Sequence, residues 1–285
     1  MNTIEVDGLC VEYADGNQLF TALDHVSFTV RQGEFVSVIG ASGCGKSTLL
    51  RTLGGLRAPD SGVLTINGKP LTGPGEDRAF VFQHYSLFPW MTARNNIAFA
   101  IKQIKKPLSK NERLSIADDF LEKVGLRNVG NKYPAQLSGG MRQRVAIARS
   151  LALDAEILLM DEPFGAVDAK NRSILQELLL RLWEGIDEED DNDVVYPFDG
   201  ATLTAAPLTG KQRKTVVFVT HDIDEAILLS DRIIMMASNP GRILRELTIP
   251  FARPHKREML AQTEEYTRLR KELLALFFDD YGRGI

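Results

Sequence analysis

Behind an apolar run, Phe35-Val-Ser-Val-Ile39, comes Gly40-Ala-Ser-Gly-Cys-Gly-Lys-Ser-Thr48, the densest concentration of chemistry-bearing residues in the chain. The spacing is G-x-x-x-x-G-K-[ST]. Glycines so placed let backbone N–H groups converge on an anionic phosphate at a helix N-terminus, where the peptide dipoles also favour negative charge. The helix-like segment Leu49-Leu-Arg-Thr-Leu53 follows at once, which supplies the strand-loop-helix context this pattern requires. On this reading Gly43 and Gly45 permit close backbone approach, Lys46 reaches the β- and γ-phosphates, and the Ser47 hydroxyl is offered to Mg²⁺. A glycine-rich turn with an exposed lysine is the plainer alternative. Cys44 fills a free position of the pattern and reads as incidental rather than as a redox switch.

A second constellation is Ile157-Leu-Leu-Met-Asp-Glu-Pro163, an apolar strand that delivers two adjacent carboxylates at its C-terminal end. Ligands of open α/β sheets bind at that end. Asp161 has the hard oxygen chemistry of a Mg²⁺ ligand, and Glu162 could polarise an attacking water as general base. A solvated acidic turn is the bland reading, and it weakens once a phosphate loop shares the chain. A third is Leu137-Ser-Gly-Gly-Met-Arg-Gln-Arg144, in which Ser138 can cap a helix while Gly139 and Gly140 leave backbone N–H groups bare at its start. That makes a second anion site. Two such helix ends in one chain make sense if two copies meet head to tail around each nucleotide.

These groups need strands to present them. Residues 4–13, 22–30 and 33–39 read as strands punctuated by Asp15-Gly16 and Gln32-Gly33, and Gly62-Val-Leu-Thr-Ile-Asn-Gly68 ends in an Asn-Gly turn signal. Residues 79–82 form a further strand ending at Gln83. From Asn95 to about Leu153 the pattern turns helical, with Gly125 placed to end a helix. Residues 157–160 and 216–219 are continuous apolar runs of the kind buried on both faces of a parallel sheet. The expected fold is α/β: a phosphate-loop core with a mixed, mainly parallel sheet, an antiparallel β subdomain and an inserted helical subdomain.

The chain has 285 residues, 44% hydrophobic and 25% charged, with a net charge of -4, a balance that disfavours a nucleic-acid binder. Its two cysteines, Cys10 and Cys44, have no spacing that suggests a metal and favour a reducing compartment. The N-terminus shows no secretory signal, and the apolar runs are too short to cross a bilayer, so any membrane role is peripheral.

Taken together, these motifs make the sequence resemble the ATP-binding cassette of an ABC transporter, up to about residue 250. The resemblance implies that residues 40–48 hold ATP through Gly40, Ser42, Gly43, Cys44, Gly45, Lys46, Ser47 and Thr48. It makes Gln83 the Q-loop glutamine, linked to Mg²⁺ with Ser47 and Asp161. Residues 137–141 become the signature, whose Ser138, Gly139 and Gly140 face the nucleotide of a second copy. Glu162 is then the catalytic glutamate, Asp168 the D-loop aspartate and His221 the switch histidine that holds the attacking water. Tyr13 is implied to stack on adenine, though an ordinary strand tyrosine would look the same.

The implied partners are a second copy in a head-to-tail dimer, a transmembrane permease docking on residues 83–92, and indirectly a periplasmic or lipid-anchored solute-binding protein, with no nucleic acid. The stretch His84-Tyr-Ser-Leu-Phe-Pro-Trp-Met-Thr92 is unusually aromatic for a loop; Pro89 and Trp90 read either as permease contacts or as part of a hydrophobic cluster under the helical insert. The location implied is the cytoplasmic face of the cell membrane. Gly73-Pro-Gly-Glu-Asp-Arg78, Leu87-Phe-Pro-Trp90 and Asn239-Pro-Gly-Arg-Ile243 are similar to the nitrate, sulfonate, taurine and bicarbonate importers, which implies a bacterial importer ATPase for a small anion. A soluble ABC ATPase acting on nucleic acid or ribosomes is the rival, and such relatives tend to carry paired cassettes or a long coiled coil that this sequence lacks.

The expected organisation is an ATP-binding domain over residues 1–250, with its helical subdomain at about 85–153, and a C-terminal helical extension over 251–285. The sequence departs from the family at about 185–213, where Gly-Ile-Asp-Glu-Glu-Asp-Asp-Asn-Asp193 opens an acidic insertion with a hairpin signal at Asp199-Gly200. A tolerated surface insertion and a regulatory segment both fit. In the C-terminal extension Tyr266, Leu269, Leu273 and Phe277 share one helical face, which packs on its own domain or stabilises a dimer.

Overall fold

The computed structural model of the chain describes residues 2–16, 18–83, 86–103, 107–165, 167–184, 213–253 and 255–283. In chain order the elements are β1 (Asn2–Asp15), β2 (Gln18–Arg31), β3 (Phe35–Gly40), α1 (Lys46–Leu53), β4 (Ser61–Ile66), β5 (Lys69–Pro70) and β6 (Arg78–Val81). Then come α2 (Ala93–Lys102), α3 (Lys110–Lys123), α4 (Gly139–Leu151), β7 (Ile157–Asp161), α5 (Ala169–Glu184) and β8 (Thr215–Val219). The chain continues through α6 (Ile223–Leu229), β9 (Arg232–Ala237), β10 (Arg242–Thr248), α7 (Arg257–Leu260) and α8 (Glu264–Arg283). The acidic insertion and its hairpin signal fall within residues 185–212, outside the described residues. The chain divides into two compact units, one of residues 1–78, 159–162 and 214–285, the other of residues 79–158 and 163–213.

The first unit contains two sheets. One is antiparallel, ordered β2-β1-β4-β5, and is built from hairpins: β1 turns into β2 with Asp15 paired to Gln18, and β4 turns into β5 through Asn67-Gly68 with Ile66 paired to Lys69. The other runs β10-β9-β3-β8-β7, with β3 parallel to both β8 and β9. Every residue of β3 and β8 is buried, which is why their sequences are continuous apolar runs rather than alternating ones. The fully buried Ser37 is the polar exception in β3, and it accepts a hydrogen bond from the Ser230 hydroxyl.

Helix α8 packs within this unit. Its Leu269 and Leu273 join Ile39, Ala226, Ile227, Ile233 and Met235 in one cluster, with Tyr266 and Phe277 against it. The polar edge of the contact is a fork on α6, where Asp224 Oδ1 accepts from the Tyr266 hydroxyl at 2.7 Å and from Arg270 Nε at 2.6 Å. Burial and the neighbouring Asp224 push the Tyr266 phenol up to about 12. Because Leu273 is wholly buried, Leu273→Ala is expected to cost about 2–5 kcal/mol of stability, read as a lowered unfolding midpoint. An unchanged midpoint would mean that α8 contributes nothing to the folded unit.

In the second unit α2, α3 and α4 pack on one another. Each begins where its sequence supplies a cap. Thr92 accepts from the Asn95 N–H, Ser109 and Glu112 form a reciprocal capping box, and Ser138 accepts from the Met141 N–H. Helix α3 ends where Gly125 indicates it should: the Gly125 N–H donates to Glu122 O and the Leu126 N–H to Leu121 O, the paired bonds of a Schellman stop.

Candidate functional site

The phosphate-type loop joins the buried β3 to α1. Gly45 is the N-cap of α1 at φ 91, and a Cβ there would sit 2.7 Å from both Ala22 O and Leu23 Cδ2 of β2. The loop is therefore wedged against the antiparallel sheet in a backbone shape only glycine adopts without strain. Gly40 is equally confined, since its Cβ would lie 2.6 Å from Met236 O. Lys46 is buried, and its Nζ donates to the carbonyls of Gly40 and Ala41, both at 2.8 Å. It also donates to Cys44 Sγ at 3.6 Å, and a buried ammonium held by such neutral groups is matched to an anionic ligand, because a desolvated charge gains most from an opposite one.

Asp161 ends β7 beside this loop. The Ser47 hydroxyl donates to Asp161 Oδ1 at 3.0 Å, so two hard oxygen donors stand together. Burial raises the Asp161 carboxyl above its usual range, with the Glu162 charge adding to the rise, while the Ser47 hydrogen bond and then Arg51 and Lys46 oppose it. A bound divalent cation would offset that burial penalty, so the donor set and its electrostatics fit Mg²⁺.

Glu162 adopts φ 44, a left-handed conformation unusual for a side chain of its size and costing about 1–3 kcal/mol. Its N–H donates to Val219 O of β8 at 3.0 Å, which locks the residue at the end of the sheet. His221 Nδ1 lies 3.4 Å from Glu162 Oε2. The turn carrying His221 is itself fixed: the Asp222 N–H donates to the Thr220 hydroxyl, that hydroxyl donates to Glu225, and Asp222 caps α6 by accepting from the Glu225 N–H. The first unit thus brings together Lys46, Ser47, Asp161, Glu162 and His221. Tyr13, on β1, is 37% exposed with the Arg57 guanidinium 5.5 Å from its ring centroid, a cation–π contact.

The second unit holds the remaining candidates. Gln83 is exposed, two residues past β6. Gly139 and Gly140 form the first turn of α4, with Ser138 capping it as expected. Asp168 precedes α5, accepts from the Asn171 N–H at 3.1 Å and from Asn171 Nδ2, and is held below the usual carboxylate range by those bonds. In the aromatic loop, of which His84 and Tyr85 lie outside the described residues, the Phe88 ring meets Phe99 edge-on at 5.1 Å and Trp90 at a tilt at 5.5 Å, while Trp90 is 69% exposed. What holds the loop is Asn96 of α2, fully buried, which accepts from the Phe88 N–H and donates to the carbonyls of Phe88, Met91 and Thr92. Asn96 is not among the residues expected from the motifs; its signal in the sequence is a polar residue on the apolar face of a helix.

Residues 23–165 match the family profile for ABC transporters. The chain is 45% identical over 260 residues to the nitrate import ATP-binding protein NrtD of Synechococcus elongatus, covering 91% of this chain and 85% of the relative. It is 40% identical over 280 residues to the bicarbonate transport ATP-binding protein CmpD of Synechocystis, covering 98% and 90%. The ATP-binding cassette MJ0796, solved as a dimer in a post-hydrolysis state bound to ADP and Pi, is similar at a TM-score of 0.71 and 33% identity, covering 87% of this chain and all of the other.

Proposed function

The chain belongs to the ABC transporter family, and from that premise we propose that it is the ATP-hydrolysing subunit of an importer for a small anion of the nitrate or bicarbonate kind. It works at the cytoplasmic face of a membrane as a pair of copies beneath a permease. The observation that carries the reading is the convergence of a buried lysine, a hydroxyl–carboxylate pair and a glutamate beside a histidine at the ends of β3, β7 and β8.

ATP is the substrate. Residues 40–48 cradle its phosphates, Lys46 supplies the positive charge against the β- and γ-oxygens, and Tyr13 stacks on the base. Mg²⁺, which Ser47, Asp161 and Gln83 would hold, neutralises charge on the phosphates when bound. Glu162 accepts the proton of the attacking water, and His221, oriented by the Thr220–Glu225 turn, keeps that water in line. Ser138, Gly139 and Gly140 of a second copy complete the site through a capped helix start whose N–H groups face anions, with Asp168 at the junction. Closure of the pair on ATP and its release after hydrolysis drive the permease, which meets residues 83–92, where the exposed Trp90 is the natural contact. A solute-binding protein delivers the anion outside.

The test is co-reconstitution with a candidate permease and its solute-binding protein. Turnover is expected to rise with permease and solute-binding protein loaded with the anion, and not with DNA or RNA. Stimulation by nucleic acid in the absence of permease would establish the rival instead.

A further inference from the structure

We propose that Cys10, Asp24 and His25 form a second, separate cation site, for a borderline-soft divalent ion of the zinc class, on the antiparallel sheet. In the β1–β2 ladder Leu9 pairs with Val26 and Val11 with Leu23, so the single residue Cys10 stands opposite two, Asp24 and His25. That is a β-bulge, the device by which a sheet re-aims side chains. His25 takes φ 50 to achieve it. The result is a sulfur, a nitrogen and an oxygen donor all within 4.8 Å of one another.

Contacts already hold the three donors side by side: His25 Nδ1 meets Asp24 Oδ1 at 2.6 Å, the His25 backbone N–H donates to Cys10 Sγ at 3.3 Å, and Cys10 Sγ donates to Gly8 O at 3.7 Å. A bound ion would replace the His25–Asp24 hydrogen bond with a bond to each. Tetrahedral zinc with bonds of about 2.0–2.3 Å needs its donors about 3.3–3.8 Å apart. The His25 side chain is 79% exposed, so it closes that gap by rotation without disturbing packing.

The donor set decides the class of ion. Mg²⁺ and Ca²⁺ take oxygen ligands, whereas thiolate with imidazole and carboxylate suits zinc. Three protein donors leave one coordination position, and the trio lines a cavity of about 440 Å³ shared with Glu12, Thr21 and Ser61, into which that position opens. The neighbouring Asp60 is already engaged, accepting from Arg57 Nη2 and the Glu12 N–H, both at 2.8 Å. The site also adjoins the support of the phosphate loop: the Asp24 N–H donates to Gly241 O at 2.9 Å, and the Gly241 N–H donates to Ala22 O, the carbonyl on which Gly45 rests.

The experiment is titration of the metal-free full chain with Co²⁺ as optical probe, followed by displacement with Zn²⁺. The expected result is one equivalent of Co²⁺ with a thiolate-to-metal charge-transfer band that Zn²⁺ bleaches. Cys10→Ser abolishes the band, Cys44→Ser retains it, and His25→Ala and Asp24→Asn each weaken Zn²⁺ binding by about tenfold or more, with circular dichroism confirming that every variant is folded. Absence of the band, its loss in Cys44→Ser instead of Cys10→Ser, or Zn²⁺ affinity unchanged in His25→Ala overturns the proposal. None of these readouts depends on ATP hydrolysis, so their failure leaves the importer reading untouched.

Discussion

Glu162→Gln is expected to lower ATP turnover by about 10²–10⁴-fold and to leave a stable ATP-bound pair of copies in solution. The amide keeps the size and hydrogen-bonding reach of the carboxylate but cannot take a proton from water. The bond from its N–H to Val219 O and the left-handed backbone do not involve the carboxylate, and both survive the change. The size of the effect separates two explanations. A rate loss of that order corresponds to about 2.7–5.4 kcal/mol of barrier, whereas losing the contact with the largely exposed His221 costs at most about 1 kcal/mol. Light scattering with Mg-ATP reads the association state. A variant that turns over within tenfold of the parent would remove Glu162 from the role of base, and one that stays monomeric at saturating nucleotide would count against head-to-tail closure of the isolated subunit.

What the sequence made legible was whatever depends on a few neighbouring residues. The apolar runs of β3, β7 and β8, the Asn67-Gly68 turn, the Ser138 cap and the Gly125 stop are each settled within about a helical turn of chain, and all appear where expected. The shared face of Tyr266, Leu269, Leu273 and Phe277 also predicted the packing of α8. The illegible parts depend on pairing between distant segments. The left-handed turn at Glu162 is imposed by its bond to β8, and the clamp of Asn96 on the Phe88 loop follows from how the chain folds back over α2. Spacing along the chain gave Cys10 no metal partner, because His25 lies fifteen positions away and only the offset in the β1–β2 register brings them together. A sequence pattern records periodicity, and a bulge is a break in periodicity set by the partner strand.

The remaining question is whether each ATP is shared between copies, and Gly140→Asp is expected to answer it. A Cβ at Gly140 would meet only Val167 Cγ1, at 3.9 Å, so the site has room and the substitution should leave the fold and the unfolding midpoint nearly unchanged. The new carboxylate nevertheless sits in the first turn of α4, where bare N–H groups would face a phosphate, and like charges repel. Hydrolysis should fall by about 10²–10³-fold, the effect of removing oriented donors from a developing anion, while binding of ATP to single copies persists. Lys46→Ala should be inactive for the opposite reason, since it spoils the cradle and spares the capped helix. In a symmetric pair each site takes its cradle from one copy and its helix start from the other. Mixing the two inactive variants therefore creates pairs with one site carrying both defects and one carrying neither. Activity should return on mixing to about a quarter of the parent value, because half of the pairs are mixed and each has one sound site. A mixture as dead as its components, with mixed pairs confirmed by differential tagging, would mean that each copy hydrolyses with its own residues alone or that one sound site cannot turn over without the other. Wild-type activity in Gly140→Asp by itself would take the Ser-Gly-Gly turn out of the mechanism altogether.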